Sequence, residues 1–225
     1  MSYKPIIIVA GEPNSIFLEI FFKSLNQKNF KSPIIIIASK ELLIKQMNLL
    51  GFNFKINLLN ENYLNLKKLN NKIINIINVD YDFKKPFEKI SKKSNDYISE
   101  SFRLALKLMK KNKFGRIINF TTVASPLSLE GEAIYSSIKA GVEKLTSVLS
   151  KELGEFGITV NSIGPTPIKT SLMRTVPADK VKALLDMQVF KRYGDFKDIS
   201  NVIDFYISQE SNFITGQKLF LGGIS

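Results

Sequence analysis

Gly115-Arg116-Ile117-Ile118-Asn119-Phe120-Thr121-Thr122-Val123-Ala124-Ser125, followed by Tyr135-Ser136-Ser137-Ile138-Lys139, decides how this chain is read. The first stretch is an apolar run ending in hydroxyls, the pattern of a strand buried on both faces of a parallel sheet. The second lies early in a helical pattern over 132–154. Tyrosine and lysine four residues apart fall on one face of that helix, so both can reach one bound molecule. Downstream come Val160-Asn161-Ser162-Ile163-Gly164-Pro165-Thr166-Pro167-Ile168-Lys169-Thr170 and Ile214-Thr215-Gly216-Gln217. Each piece alone is unspecific; the order and spacing together are specific.

One chemistry that such a set can serve is carbonyl reduction. A hydride delivered to a carbonyl carbon needs a proton donor at the nascent alkoxide. A free tyrosine has a pKa near about 10, too high for easy exchange at neutral pH. An ammonium one helical turn away favours the phenolate, and it also carries donors for ribose hydroxyls. A hydroxyl at a neighbouring strand end can hold the carbonyl oxygen beside the tyrosine.

From about residue 113 to its end the chain resembles the short-chain dehydrogenase/reductases. The resemblance implies Tyr135 as acid/base, Lys139 as its tuning residue and a ribose ligand, and Thr122 in place of the usual serine. Threonine keeps the hydroxyl but restricts χ1. In the family the loop after the next strand runs Pro-Gly-x-x-x-Thr and touches the nicotinamide end of NAD or NADP. Here Pro165, Ile168 and Thr170 take those roles by resemblance. Thr166 stands where glycine is usual and tolerates positive φ badly, so the loop is expected to follow a different path.

The first half departs from that family. Its opening strand, Ile6-Ile7-Ile8-Val9-Ala10, leads into Gly11, but the next two glycine positions of a TGxxxGxG loop are Ser15 and Phe17. Those glycines let backbone approach a pyrophosphate at a helix N-terminus, so Ser15 and nearby amides are the remaining candidates for that task. The Asn-Asn-Ala-Gly element is replaced by Ile73-Ile74-Asn75-Ile76-Ile77-Asn78-Val79-Asp80. Residues 3–112 instead resemble the N-terminal part of 4-hydroxythreonine-4-phosphate dehydrogenase. The matching pieces are Gly11-Glu12-Pro13, the run from Pro33 through Ser39-Lys40-Glu41 to Leu43, Leu49-Leu50-Gly51-Phe52, and Lys89-Ile90-Ser91 through Tyr97-Ile98 to Ala105-Leu106. That family's histidine-bound metal is not implied, because the chain has no histidine.

The chain therefore reads as a composite of 1–112 and 113–225, with one continuous domain as the alternative. Charge shifts at the join: 19 basic against 9 acidic residues before it, 13 against 11 after it. The expected fold is α/β, three-layered, with a mostly parallel sheet covered by helices on both faces, Rossmann-like with an atypical N-terminal half. Strands are expected near 5–10, 33–38, 53–58, 73–79, 116–121, 158–163 and 217–221. Helices are expected near 15–26, 39–50, 95–112, 132–154, 178–187 and 197–208. On helix 132–154, Ile138, Val142, Leu145, Val148 and Leu149 recur at helical spacing, as core or as a dimer face. By resemblance, helices 95–112 and 132–154 would pack across a homo-oligomer.

Composition excludes several alternatives. Without cysteine there is no disulfide, and without histidine no metal site is expected. No apolar run reaches the roughly 18–20 residues of a membrane span, and the opening Ile-Ile-Ile-Val is too short for a signal peptide, so a cytoplasmic protein is expected. The net charge of +12 comes mainly from lysines scattered among asparagine and isoleucine, with arginine only at 103, 116, 174 and 192. Arginine is the better reader of bases and phosphates, so a small-molecule substrate is favoured over nucleic acid. Two functions follow: an NAD(P)-dependent oxidoreductase acting on a carbonyl or secondary alcohol, or a catalytically inactive fusion product that keeps an α/β scaffold without binding cofactor.

Overall fold

The computed structural model describes residues 5–27, 30, 32–61, 69, 72–169 and 176–224. The chain divides into two compact units, 1–108 and 109–225.

The first unit contains β1 (Ile6–Val9), α1 (Phe17–Gln27), β2 (Ile34–Ala38), α2 (Lys40–Leu49), β3 (Ile56–Leu58), β4 (Ile74–Asn78) and most of α3 (Asn95–Lys111). Its four strands are all parallel, in the order β1-β2-β4-β3. Every residue of β2 is buried, because the sheet is covered on both sides. Ile34, Ile36 and Ala38, with Ile74 and Ile76, meet Leu18, Phe21 and Phe22 of α1 and Leu43 and Met47 of α2. The alternate residues Ile35, Ile37, Ile77 and Val79 meet Tyr97, Leu104, Ala105 and Leu108 of α3. This period-two division makes the unit three-layered. Each isoleucine fully buried there contributes about 1.5–3 kcal/mol relative to exposure.

The strand order differs from that of a dinucleotide-binding half, in which the first strand sits between the second and the fourth. Here β1 is at an edge and β2 and β4 hold the two inner positions. The loops after β2 and β4 leave toward opposite faces, so the switch point lies between Ser39 and Asn78. Protein groups already serve the amides there. Ser39 N–H donates to the Tyr97 hydroxyl (3.1 Å), Lys40 N–H to Asn78 Oδ1 (2.8 Å), and Leu42 N–H to Ser39 Oγ (3.4 Å). Burial pushes the Tyr97 hydroxyl above the usual phenol range.

The second unit contains β5 (Gly115–Phe120), a short α4 (Ala124–Leu127), α5 (Ala133–Leu153), β6 (Ile158–Gly164), α6 (Ala178–Met187), α7 (Phe196–Ile207) and β7 (Lys218–Phe220). The strands form a parallel sheet, β5-β6-β7, with β6 central and wholly buried. Helix α7 starts with a capping box. Asp195 accepts from the amides of Lys197 (2.7 Å) and Asp198 (3.0 Å), and Asp198 accepts from the Asp195 amide (2.9 Å).

The strands and long helices lie within a few residues of their expected bounds, and the α/β class with parallel strands and helices on both faces holds. The strands are distributed over two sheets, one in each unit. Unread in the sequence were α4 and the 3-10 turns Lys92–Ser94 and Gly154–Phe156, each too short to carry a periodic signal. Of the two alternatives for the apolar stripe of α5, core and dimer face, the exposure of Ile138, Leu145 and Val148 removes the first for these residues. Ile138 is 62% exposed, and Ile134, Leu145 and Val148 are exposed with it. The buried positions of α5 are Glu143, Thr146, Ser150 and Leu153.

Candidate active site

The site is built on the carboxyl end of β5. Thr121 continues the ladder, its amide donating to Ile163 O (2.8 Å). Thr122 then turns the chain into α4, its Oγ1 accepting from Ala124 N–H (3.3 Å) and its carbonyl from Ser125 N–H (3.2 Å). Ser128 (φ 49°) and Gly131 (φ 83°) reverse the chain into α5. Ser136 Oγ donates to Ala124 O (3.2 Å), which pins the first turn of α5 beside the Thr122 turn.

That turn carries Tyr135, 45% exposed, and the next carries Lys139. The Lys139 ammonium donates to Phe120 O (3.0 Å) and lies 5.8 Å from the centre of the Tyr135 ring. Thr122, Tyr135 and Lys139 thus stand on adjoining pieces of one strand end and one helix face. Pro165 joins them through its carbonyl, which accepts from Val123 N–H (3.4 Å).

The loop beyond Pro165 is held against the segment before α7. Gly194 N–H donates to Pro167 O (3.0 Å), and Ile168 bridges Gly194 in parallel fashion. Thr166 is buried and is not among the positive-φ residues, so threonine imposes no left-handed strain here. Its side chain packs where a Cβ on Gly194 or Gly222 would collide, within 2.9 and 2.7 Å respectively. Beyond it is a cavity of about 230 Å³ whose wall includes Arg192, Asp198 and Asn201. The bidentate Arg192 guanidinium (2.7 and 3.0 Å) holds the Asp198 carboxyl down at about 2. Thr170 lies outside the described residues.

The loop after β1, in the other unit, has a different character. Gly11 takes φ 69°, but Glu12 follows it. The Glu12 carboxylate accepts from Ser94 Oγ (2.6 Å) and from the amide of Asn14 (3.1 Å). Asn14 Oδ1 in turn accepts from Glu88 N–H (2.8 Å). Gln46 Nε2 donates to Pro13 O (2.8 Å) and Pro86 O (2.5 Å), clamping two loops together. Phe17 packs into the core beside Phe21, and Ser15 Oγ accepts from the Phe17 amide (3.3 Å).

Sequence reasoning passed over Asn119, Thr121 and Glu143. Thr121 Oγ1 donates to Glu143 Oε1 (2.7 Å), and Asn119 Nδ2 donates to Thr146 Oγ1 (2.9 Å). The signal was available: Glu143 continues the four-residue spacing of Tyr135 and Lys139, placing it on the same helix face.

The chain is a member of the short-chain dehydrogenase/reductase family, with residues 84–223 matching the branch described as Enoyl-(Acyl carrier protein) reductase. A 3-oxoacyl-[acyl-carrier-protein] reductase of Rickettsia typhi is 30% identical over 213 residues, 85% of this chain and 86% of that protein. The corresponding reductase of Rickettsia bellii is 36% identical over 121 residues, 54% of this chain and 50% of the relative. The (2S)-[(R)-hydroxy(phenyl)methyl]succinyl-CoA dehydrogenase subunit of Thauera aromatica is 40% identical over 115 residues, 51% of this chain and 46% of the relative. Most of these matches thus span about half the length of the relatives. Among solved structures, a variant of the actinorhodin polyketide ketoreductase with NADPH superposes at TM-score 0.57 with 18% identity, covering 98% of this chain and 96% of that one. At that identity the likeness concerns the fold alone. The family match begins at residue 84, ahead of the expected join at 113.

Proposed function

We propose that the chain is an NAD(P)-dependent oxidoreductase that interconverts a ketone and a secondary alcohol, the substrate being a 3-oxoacyl thioester. The observation that carries this reading is the Lys139 ammonium at the end of β5 beside Tyr135. The relatives' names supply the substrate class: a 3-oxoacyl carrier-protein thioester in one case and a CoA thioester dehydrogenase in another.

The residues around Tyr135 suit the nicotinamide–ribose end of the cofactor. Lys139 has three donors and uses one on Phe120 O, leaving two for ribose hydroxyls. Pro165, Ile168 and Thr170 are the residues we assign to the carboxamide side. The loop after β1 does not suit a pyrophosphate, since Glu12 adds a carboxylate to it that is held by Ser94 and Asn14. When bound, the reduced nicotinamide supplies a hydride to the carbonyl carbon. Tyr135 then gives its phenolic proton to the oxygen, and the phenolate left behind faces the Lys139 ammonium. Thr122 accepts from Ala124 N–H, which leaves its own hydroxyl proton free for the carbonyl oxygen.

The exposed apolar stripe of α5 supports a homo-oligomer formed through that helix and α3. A cytoplasmic location is proposed with it; among the described residues, no helix is long and apolar enough to cross a membrane. Residues 3–112 keep their proposed kinship with 4-hydroxythreonine-4-phosphate dehydrogenase on the strength of the motifs that begin at Gly11-Glu12-Pro13. The second reading, an inactive fusion product, is favoured by the Glu12 carboxylate in the β1 loop.

The deciding experiment is titration with NADH and NADPH by cofactor fluorescence, on wild type and Lys139→Ala, with acetoacetyl-CoA reduction followed in parallel. Saturable binding weakened by the substitution, together with turnover, supports the oxidoreductase. Folded protein that binds neither cofactor at millimolar concentration supports the inactive fusion.

A further inference from the structure

Three successive residues of β5 and its extension are tied to α5 by polar bonds. Asn119 donates to Thr146, Phe120 accepts from Lys139, and Thr121 donates to Glu143. Three of the four buried positions of the helix are therefore polar, while Ile134, Ile138, Leu145 and Val148 are exposed. Glu143 stands out: it is 9% exposed, and Thr121 is 4% exposed. A carboxylate buried so far is costly unless it is hydrogen-bonded and paired. Its partners are the Thr121 hydroxyl at 2.7 Å and the Lys218 ammonium at 4.0 Å.

Thr121 has a single hydroxyl proton and two acceptors within range, Glu143 Oε1 at 2.7 Å and Lys139 O at 3.4 Å. The shorter bond is charge-assisted and takes the proton. Side chains of a helix lean toward its N-terminus, so Glu143 reaches back to the level of Lys139, as Lys139 reaches back over Tyr135. One carboxylate thus fixes the residue that precedes Thr122 against the turn that carries Lys139.

We propose that Glu143 is a positioning residue of the site, holding the Thr121–Thr122 strand end in register with Tyr135 and Lys139. This rests on the oxidoreductase reading for its catalytic consequence, though the bond itself does not. The variants are Glu143→Leu, Glu143→Gln, Thr121→Val and the Thr121→Val/Glu143→Leu double. They are assayed by NADPH-dependent reduction of acetoacetyl-CoA and by amide hydrogen exchange over 119–123.

Misplacement of about 1 Å can cost on the order of 100-fold in rate, so Glu143→Leu is expected to lower kcat roughly 10- to 100-fold. The KM for NADPH should stay within about twofold. Glu143→Gln keeps an oxygen for the Thr121 proton and should retain kcat within about threefold. Thr121→Val leaves the buried Glu143 carboxylate with Lys218 alone, so its loss should be at least that of Glu143→Leu, and the two should not compound in the double variant. Exchange at 121–123 should quicken in the leucine and valine variants and not in the glutamine one. Wild-type kcat and exchange in Glu143→Leu, or fully multiplicative losses in the double, would overturn the proposal. If wild type itself shows no turnover, the oxidoreductase reading fails, and the exchange pattern decides the positioning role by itself.

Discussion

Replacing Lys139 with methionine removes a charge and leaves the shape of the side chain nearly intact. The ammonium lies 5.8 Å from the centre of the Tyr135 ring. An ammonium and a developing negative charge roughly 6 Å apart interact by roughly 3 kcal/mol at an effective dielectric constant of about 20. Tyr135 is 45% exposed, and water on that side screens further, so about 1.5 kcal/mol is the working figure. Each 1.4 kcal/mol is tenfold in rate, so Lys139→Met should lower kcat for acetoacetyl-CoA reduction about tenfold. A separate rise in the KM for NADPH should follow from the two lost ribose donors. The assay is NADPH oxidation at saturating thioester, with kcat and KM separated for Lys139→Met, Tyr135→Phe and wild type. A kcat for Lys139→Met within twofold of wild type, beside an inactive Tyr135→Phe, would refute the electrostatic role.

Three other outcomes follow from the same geometry. Asp198 has a folded-state value of about 2 against 3.8 for the free carboxyl, so its contribution is present above about pH 4 and lost as pH falls toward 2; acid unfolding followed by circular dichroism should be shallower in Asp198→Asn over that window. Ile36→Ala, at a fully buried position of β2, should cost about 2–5 kcal/mol in urea unfolding, since the surrounding core cannot close the gap completely. Ile138→Lys should leave circular dichroism unchanged and reduce the mass measured by light scattering, if the α5 stripe joins two copies.

The sequence carried the fold further than it carried the site. Four buried isoleucines in a row at 34–37 can only be a strand covered on both faces, and the helices between strands followed from their spacing. Strand order was not legible, because β1 and β2 have nearly the same composition and nothing local says which is flanked. The reversed amphipathicity of α5 was also hidden. Its apolar residues have helical spacing whether they face a core or a second surface, and only the contacts of β5 with Glu143 and Thr146 show which face turns inward. That Tyr135 and Lys139 share one helix face could be read from their spacing. Thr121 could not, because adjacent hydroxyls at 121 and 122 point to opposite sides of the strand end, and the sequence does not say which is buried.

Proton transfer and phosphate binding make opposite demands on this chain. Around Tyr135, donors are left over: two on Lys139 and the hydroxyl proton of Thr122. At the carboxyl edge of the first unit's sheet, the amides of Ser39, Lys40 and Leu42 are already served by protein oxygens, and the Glu12 carboxylate fills the loop after β1. A pyrophosphate would have to displace those partners and approach a negative charge. If the second unit holds the cofactor by itself, affinity comes almost entirely from the nicotinamide–ribose end. Reduced nicotinamide mononucleotide should bind within about tenfold of NADH, a difference under about 1.4 kcal/mol. Competition of the two for the Lys139-dependent site measures this directly. An NADH affinity more than a hundredfold tighter would mean that the adenosine diphosphate half finds a cradle despite Glu12, and Glu12→Gln should then tighten it further.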